Sequence, residues 1–388
     1  GRGGAGAYFY EKGRLLVACG GGGASGLLLA SKLISDTFFS NKNVLLIEKD
    51  PKNLNDRTWC FWEKGKGELD HIVSKSWKSA IFKAKNFKTN FSTDPYTYKL
   101  IRGIDFYKNF NYLKTKQQNL TYLNTKINSI DKRSNTVKTD KGDFIGDFIF
   151  TSLLDFDKLI NYNKYPLLKQ HFVGQLIKTK NEIFNPDEVT FMDFDIPQKD
   201  STRFMYVLPL SKSKALIEYT LFSPKELDKN EYISSIEQYM KNLNPGNYKI
   251  IETEKGIIPM SAYKFTSENT KNLLNIGTAG GWTKPSTGYT FLNTLNKTNL
   301  LVSYLKMNKP LNEFEKNSRF WFYDLLFLDV LNKHNDKGSQ LFKKMFEKNK
   351  PETIFKFLDN KTNIFEEIKM MLTFKKRWFV QALIKRFF

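Results

Sequence analysis

Cysteine and histidine are scarce. The 388 residues hold two cysteines, Cys19 and Cys60, and three scattered histidines, His71, His171 and His334. Two cysteines build no disulfide framework, and the histidines show no metal-ligand spacing, so no metal is expected. Long apolar runs are missing as well: mean hydropathy is −0.47, and no stretch of about 18 apolar residues predicts a membrane-spanning helix. No basic-then-apolar leader follows Gly1, and an intracellular protein is expected. Arginine supplies only nine of the 61 basic residues. Nucleic-acid sites favour its planar fork. The net charge of +21 is therefore read as a lysine-rich compositional bias; nucleic acid is disfavoured as a partner. An anionic membrane surface, which attracts lysine as well as arginine, stays a candidate.

What is present is globular. Hydrophobic residues make up 40 % and charged residues 26 %, and the length exceeds that of one growing core, so two or three domains are expected. Residues Gly1–Gly13 are glycine-rich and aperiodic and are set aside as a tail. Leu15–Cys19 reads as a buried strand, Ala24–Ile34 as a helix and Val44–Ile47 as a second strand ending at Glu48. This is a βαβ unit with a glycine-rich turn. Further on, a hairpin near Asn135 leads to a strand at Phe148–Thr151. Segments 174–179, 189–193, 203–208 and 215–222 alternate like the strands of an antiparallel sheet. After Tyr304 the pattern is mostly helical, and Thr362–Phe388 reads as one basic amphipathic segment, its Trp378, Phe379, Phe387 and Phe388 expected to lie in a lipid interface, or else as a helix docked on the protein.

Gly21-x-Gly23-x-x-Gly26 sits between strand and helix, where a dinucleotide fold needs its tight turn and its close approach of pyrophosphate to backbone. Glu48 follows Gly26 by 22 residues, at the strand end where a carboxylate accepts ribose hydroxyls. A second cluster, Asn275 to Phe291, brings Gly277, Gly280, Gly281, Thr287 and Gly288 ahead of a helix expected from Gly288. Two such turns so far apart in the chain suit the long ligand FAD better than a simple NAD site. The alternative is a structural loop closing the sheet.

Several segments together resemble the flavoprotein lycopene cyclases of bacterial and plant type. They are the first glycine motif followed by Leu27-Leu-Leu29, Asp56-Arg-Thr-Trp-Cys-Phe-Trp62 and Phe204-Met-Tyr-Val-Leu-Pro-Leu210. Leu216-Ile-Glu-Tyr-Thr-Leu-Phe-Ser223, Gly256-Ile-Ile-Pro-Met260 and Ile276–Phe291 complete the set, in order, from about Leu15 to Val330. The Arg-Thr-Trp-Cys-Phe-Trp and Ile-Glu-Tyr-Thr segments are the specific ones. The sequence departs from the pattern at Thr278, where related flavoproteins often carry Asp. The resemblance implies cyclisation of the ψ-ends of lycopene to β-ionone rings, with bound FAD in its reduced form and NAD(P)H as reductant, on a substrate dissolved in the membrane. It also implies a place in the cytoplasm, peripheral on the inner face of the cell membrane.

Such a reaction needs an acid, a cation-stabilising surface and a base. Glu218 is the only charge in a strand otherwise built for burial, and burial keeps a carboxyl protonated. The family pattern carries its essential acid at this position; the competing reading is a structural ion pair with Arg57 or Arg203. Aromatic faces stabilise cations, and Trp59 leads these candidates, with Arg57 beside it, among Phe61, Trp62, Tyr206, Tyr219, Trp282 and Tyr289. The fold class expected is α/β. A Rossmann-like FAD-binding domain (14–50, 100–154, 273–304) carries an antiparallel-sheet substrate domain (51–99, 155–272) and a helical C-terminal region (305–388). Rival readings are a flavin monooxygenase or isoprenoid reductase of the same fold, a non-catalytic carotenoid or lipid carrier, and a basic nucleic-acid-binding module.

Overall fold

The computed structural model describes residues 15–19, 23–316 and 318–387, the first of these segments by its backbone. The expected tail and Gly21 lie outside the described residues. A five-stranded parallel sheet runs in the order Leu273–Asn275, Phe148–Thr151, Leu15–Cys19, Asn43–Glu48, Leu120–Asn124. Val44 to Ile47 are all buried, as a parallel strand covered on both faces must be. Helices α1 (Ala24–Ser35), α2 (Gly103–Thr115) and the later Phe291–Leu305 helix cover one side, sharing cores built on Leu27, Leu28, Phe106 and Leu295. A small three-stranded sheet, Gly142–Ile145, Thr136–Thr139 and Ile127–Asp131, lies on the other side through Val137 and Ile130.

The larger sheet has seven strands in the order Tyr248–Ser261, Leu167–Thr179, Lys214–Ser223, Thr202–Ser211, Glu188–Asp193, Ser79–Ala84, Phe87–Ser92. Side chains alternate between its faces. On one face Ile217, Tyr219 and Leu221 pack with Tyr232, Ile236 and Met240 of the Lys229–Asn242 helix. On the other face Leu216, Phe204, Tyr206 and Phe222 join the main core. That core also receives Trp62 and Tyr98 from a second three-stranded sheet, Thr58–Lys64, Tyr96–Arg102 and Lys75–Trp77. Five C-terminal helices close it: Arg319–Lys333, Gly338–Lys348, Pro351–Leu358, Ile364–Leu372 and Lys376–Phe387.

Four details differ from expectation. The large sheet is mixed, because Ser79–Ala84 runs parallel to Glu188–Asp193; its hairpin is inserted from far upstream, so no tight turn fixes its direction. The border expected near residue 100 falls inside the Tyr96–Arg102 strand, which pairs along the whole of Thr58–Lys64. The helix expected from Gly288 begins at Phe291, since Gly288 takes a left-handed φ of 75° that helical backbone excludes. Thr362–Phe388 is two helices and not one. The first is started by the reciprocal Asn363–Glu366 capping box and ended at Thr373, after which Phe374 turns into the core.

Candidate active site and cofactor cradle

The two glycine segments meet in space. Gly277 packs on Ser25 so closely that a Cβ there would stand 2.5 Å from Ser25 Oγ. Gly23 is the extended N-cap of α1, no side chain caps that end, and Gly26 is buried one turn in. Backbone amides at an uncapped helix start are an anion site. Glu48 ends the Asn43–Glu48 strand buried; its Oε1 accepts the Asp50 N–H at 2.8 Å, while Oε2 has no partner among the described residues. A buried carboxylate oxygen left unpaired is costly, and a ribose hydroxyl is the donor that would satisfy it. At Gly280 any larger residue would collide with Asn275 O, 2.2 Å from the Cβ position. Gly281 and Gly288 both take positive φ, and Gly288 brings the segment against Gln170 of the large sheet. Thr287 Oγ1 and Gln170 Oε1 are buried without partners among the described residues. Orphaned polar atoms at both glycine segments, together with the helix start, fit a dinucleotide-sized polar ligand such as FAD.

A cavity of about 380 Å³ opens beside this segment, walled by Cys60, Trp62, Lys284, Tyr289 and Phe291 among others. Cys60 and Tyr289 also face Glu218, as do Tyr98 and Tyr206. Glu218 thus neighbours two residues of that wall, largely enclosed by protein while keeping some accessible surface. Its Oε1 accepts a 2.6 Å hydrogen bond from Thr220 Oγ1. No cation among the described residues pairs with it: Arg203 binds Glu231 at 2.7 Å and Tyr219 at 3.1 Å on the opposite face of the sheet. Arg57 is exposed and forks onto Asp56. The ion-pair reading of Glu218 is thereby corrected. Burial, and after it the neighbouring Glu254, pushes its carboxyl up to about 8 from an ordinary 4.5, against the lowering bond from Thr220. The same burial raises the Cys60 thiol and the hydroxyls of Tyr98, Tyr206 and Tyr289, so these four neighbours of the acid stay neutral.

Rings enclose the acid. Trp62 meets Tyr289 edge-on at 4.5 Å and tilts over Phe355 at 5.0 Å, and Phe191 bridges Tyr98 and Tyr206. Trp59 is not among them. On the Thr58–Lys64 strand the even positions turn toward the large sheet: Thr58 bonds Glu254, Cys60 faces Glu218, and Trp62 joins the main core with Leu216 and Tyr206. Trp59 and Phe61 point the other way, to Phe106, Tyr107 and Phe291. Strand parity thus moves the aromatic role expected of Trp59 to Trp62 and the tyrosines, and it leaves Arg57 outside the ring cage. Tyr219 faces the Lys229–Asn242 helix, and Trp282 lies in the core beneath the parallel sheet.

The residue missed in the sequence is Glu254. It lies buried on the Tyr248–Ser261 strand, accepts a hydrogen bond from Thr58 Oγ1 at 2.8 Å, and is raised to about 7, chiefly by burial. Its neighbourhood in sequence, Glu252-Thr-Glu-Lys255, reads as a solvated charge run, which hid it. The signal available was its place two residues before the Gly256-Ile-Ile-Pro-Met260 motif.

Fold and site together define an enzyme of the flavoprotein type. Solved structures with the same fold include a geranylgeranyl bacteriochlorophyll reductase-like protein from Thermoplasma acidophilum, with TM-score 0.55 and 13% identity over 96% of both chains. A tryptophan halogenase from Shewanella frigidimarina has TM-score 0.58 and 10% identity over 97% of this chain and 94% of that one. A probable FAD-dependent monooxygenase from Pseudomonas aeruginosa has TM-score 0.52 and 12% identity over 89% and 99%. More specifically, residues 16–384 match the model of the family described as lycopene cyclase protein, and the chain belongs to that family. A lycopene beta-cyclase of a Paracoccus species is 30% identical over 125 residues, 31% of this chain and 32% of that protein.

Proposed function

We propose that this protein cyclises the linear ψ-ends of lycopene to β-ionone rings, giving γ-carotene and then β-carotene. The observation that carries this reading is Glu218: a carboxyl held protonated, without a counter-cation, in a cage of neutral aromatic rings. Its proton adds to the terminal double bond of the ψ-end, the chain closes on the resulting tertiary cation, and a ring proton leaves. One proton enters and one departs, so the product is an isomer of the substrate. Trp62, Tyr289, Tyr206 and Tyr98 are the rings whose π-faces would stabilise the developing charge without adding to it. The cage keeps water, which would trap the cation as an alcohol, away from the reacting end.

Gly23, Gly26, Glu48, Gly277, Gly280, Gly281, Thr287 and Gly288 would hold FAD. Bound in its reduced form, with NAD(P)H as the reductant, FAD would supply electron-rich, charge-stabilising chemistry to the cyclisation. The chemistry asked of the chain is to orient the polyene end, hold the proton at a Glu218 oxygen and exclude water.

A hydrocarbon substrate is met at a bilayer. No described helix is long and apolar enough to cross one. The last two helices instead expose Ile364, Phe365, Ile368 and Leu372, then Val380, Leu383, Ile384 and Phe387, next to Lys369, Lys375, Lys376 and Arg377. Apolar faces edged by lysine are what an anionic lipid surface attracts, and peripheral attachment at the cytoplasmic face of the cell membrane fits them. Trp378 and Phe379, expected to face lipid, do not. Trp378 stacks on His334 at 4.5 Å, and Phe379 packs on Phe374 and Phe327. Phe388 lies outside the described residues. Buried anchors hold the two helices in place: Glu367 receives Arg319, and Asp329 receives Lys385 and Arg386.

Anaerobic incubation with lycopene in liposomes, FAD and NADPH tests the reading. Chromatography should show ring-closed products of unchanged mass, lost by roughly a thousandfold in Glu218→Gln. Products heavier by oxygen or hydrogen, or full turnover by Glu218→Gln, would overturn it.

A further inference from the structure

Glu218 has a neighbour that the chemistry above leaves unused. Across the large sheet, Glu254, Gly174, Glu218 and Tyr206 stand in one row. Two strand spacings, about 9.5 Å, separate the two glutamate backbones, and the residue between them has no side chain. Glu254 leans into that gap: a Cβ on Gly174 would lie 3.1 Å from Glu254 Cγ and 3.4 Å from its Oε1. The other groups facing Glu218 are Thr220, Cys60, Tyr98, Tyr206 and Tyr289, none of them cationic.

The surroundings of Glu254 are more polar on its far side. Thr58 donates to it, Asp56 and Arg57 face it, and Arg57 is already paired with Asp56. Glu252, two residues along the strand, takes up Arg102 at 2.6 Å and Asn55 at 2.8 Å. The positive charges nearby are thus committed to other acids. Two carboxyls remain to face each other across Gly174, so that ionising one makes ionising the other more costly.

We propose that Glu254 is a positioning carboxylate for the acid, carrying the negative charge of a two-carboxyl, one-proton pair and so keeping the proton on Glu218 at neutral pH. The inference rests on Glu218 being the acid of the cyclisation. Each turnover borrows one proton and returns one, so the pair holds the same single proton before and after. Burial pushes both groups up, and the charge on Glu254 adds to the shift of Glu218, in agreement with the row geometry.

The test is the pH profile of kcat/KM for the flavin-loaded protein, from about pH 6 to about pH 9.5. Removing a negative neighbour favours ionised Glu218, so Glu254→Gln should move the alkaline limb to lower pH by about one unit. Glu254→Asp, which keeps the charge, should restore much of that shift. An unmoved limb in Glu254→Gln overturns the proposal. Should that variant fail to bind flavin, Gly174→Ala serves instead: its methyl pushes Glu254 from the gap, with a smaller shift in the same direction expected and an unmoved limb again decisive. Infrared titration of the protonated-carboxyl band in resting protein needs no turnover. One proton shared by the two carboxyls through neutral pH supports the pair, and two ionised carboxylates at pH 7 overturn it. Absence of cyclisation by the wild type would instead count against the proposed function alone.

Discussion

The two faces of the large sheet differ in how they treat buried charge. On the face toward the Lys229–Asn242 helix, Arg203 is held by Glu231, Tyr219 and Ser201. Asp193 there takes bonds from Tyr239 and Lys83, and His171 is held between Tyr232 and Ser223. Burial lowers that His171 to about 4, so it too stays neutral. Each of these three groups has a partner of opposite sign or a hydrogen-bonding hydroxyl. On the opposite face, the polar groups around Glu218 among the described residues are hydroxyls and a thiol, and the charged group that shifts it is another acid. Pairing is what a sheet needs for stability. Lack of pairing marks the place where stability gives way to chemistry.

That contrast makes opposite predictions for matched substitutions. Arg203→Met removes the buried cation, leaves Tyr219 without its donor and leaves Glu231 to Lys199 alone; it should cost about 2 kcal/mol in denaturant unfolding, reduced for a broken pair because Glu231 is partly solvated. A substitution at Glu218 should act the other way. Its folded-state pKa is raised above the unfolded value. Ionisation is therefore more favourable in the unfolded chain, and stability is lost as pH rises from the unfolded pKa through the folded one, about 4.5 to about 8. Glu218→Gln has no such loss, so its melting temperature should exceed the wild type's near pH 8.5 and approach it near pH 4. Equal differences at both pH values would break the comparison.

The aromatic cage offers a second contrast, within one strand. Trp62→Leu should lower kcat about tenfold or more with flavin content unchanged, as expected for a desolvated cation–π partner. Trp59→Leu should leave kcat within about threefold and act through stability or flavin retention, because Trp59 packs on α2 and the Phe291–Leu305 helix. Comparable losses in kcat from both would remove the parity argument. The smallest effect belongs to Thr220→Val. Its hydroxyl bond lowers the Glu218 pKa, so its loss should move the alkaline limb of the pH profile upward by less than about one unit. The direction is opposite to that expected of Glu254→Gln.

Much of this was legible in one dimension. The four apolar residues Val44–Ile47 required a buried parallel strand. Gly23 and Gly26 read as a helix start beside phosphates, and a lone glutamate in Ala215–Phe222 stood out because burial and charge conflict. Element positions such as Phe148–Thr151, Glu188–Asp193 and Lys214–Ser223 follow from the same apolar and alternating patterns. The misreadings share a cause. Trp59 was favoured for its motif, but which face of a strand a residue occupies is set by the partner sheet, and a one-residue step reverses it. Glu254 stayed hidden because a strand with exposed Lys255, Thr253 and Ile251 looks solvated from end to end when only its composition is read. Trp378 and Phe379 read as lipid anchors until the turn at Thr373–Lys375 rotated them inward.

The sequence by itself determined the local order of strands, turns and helices, because hydrophobic periodicity and glycine geometry act over a few residues. Only the tertiary structure decided which side chains share the acid's recess. Glu218, Glu254, Cys60 and Tyr289 come from four separate parts of the chain, and strand register across a glycine, a pairing between distant segments, brings them together.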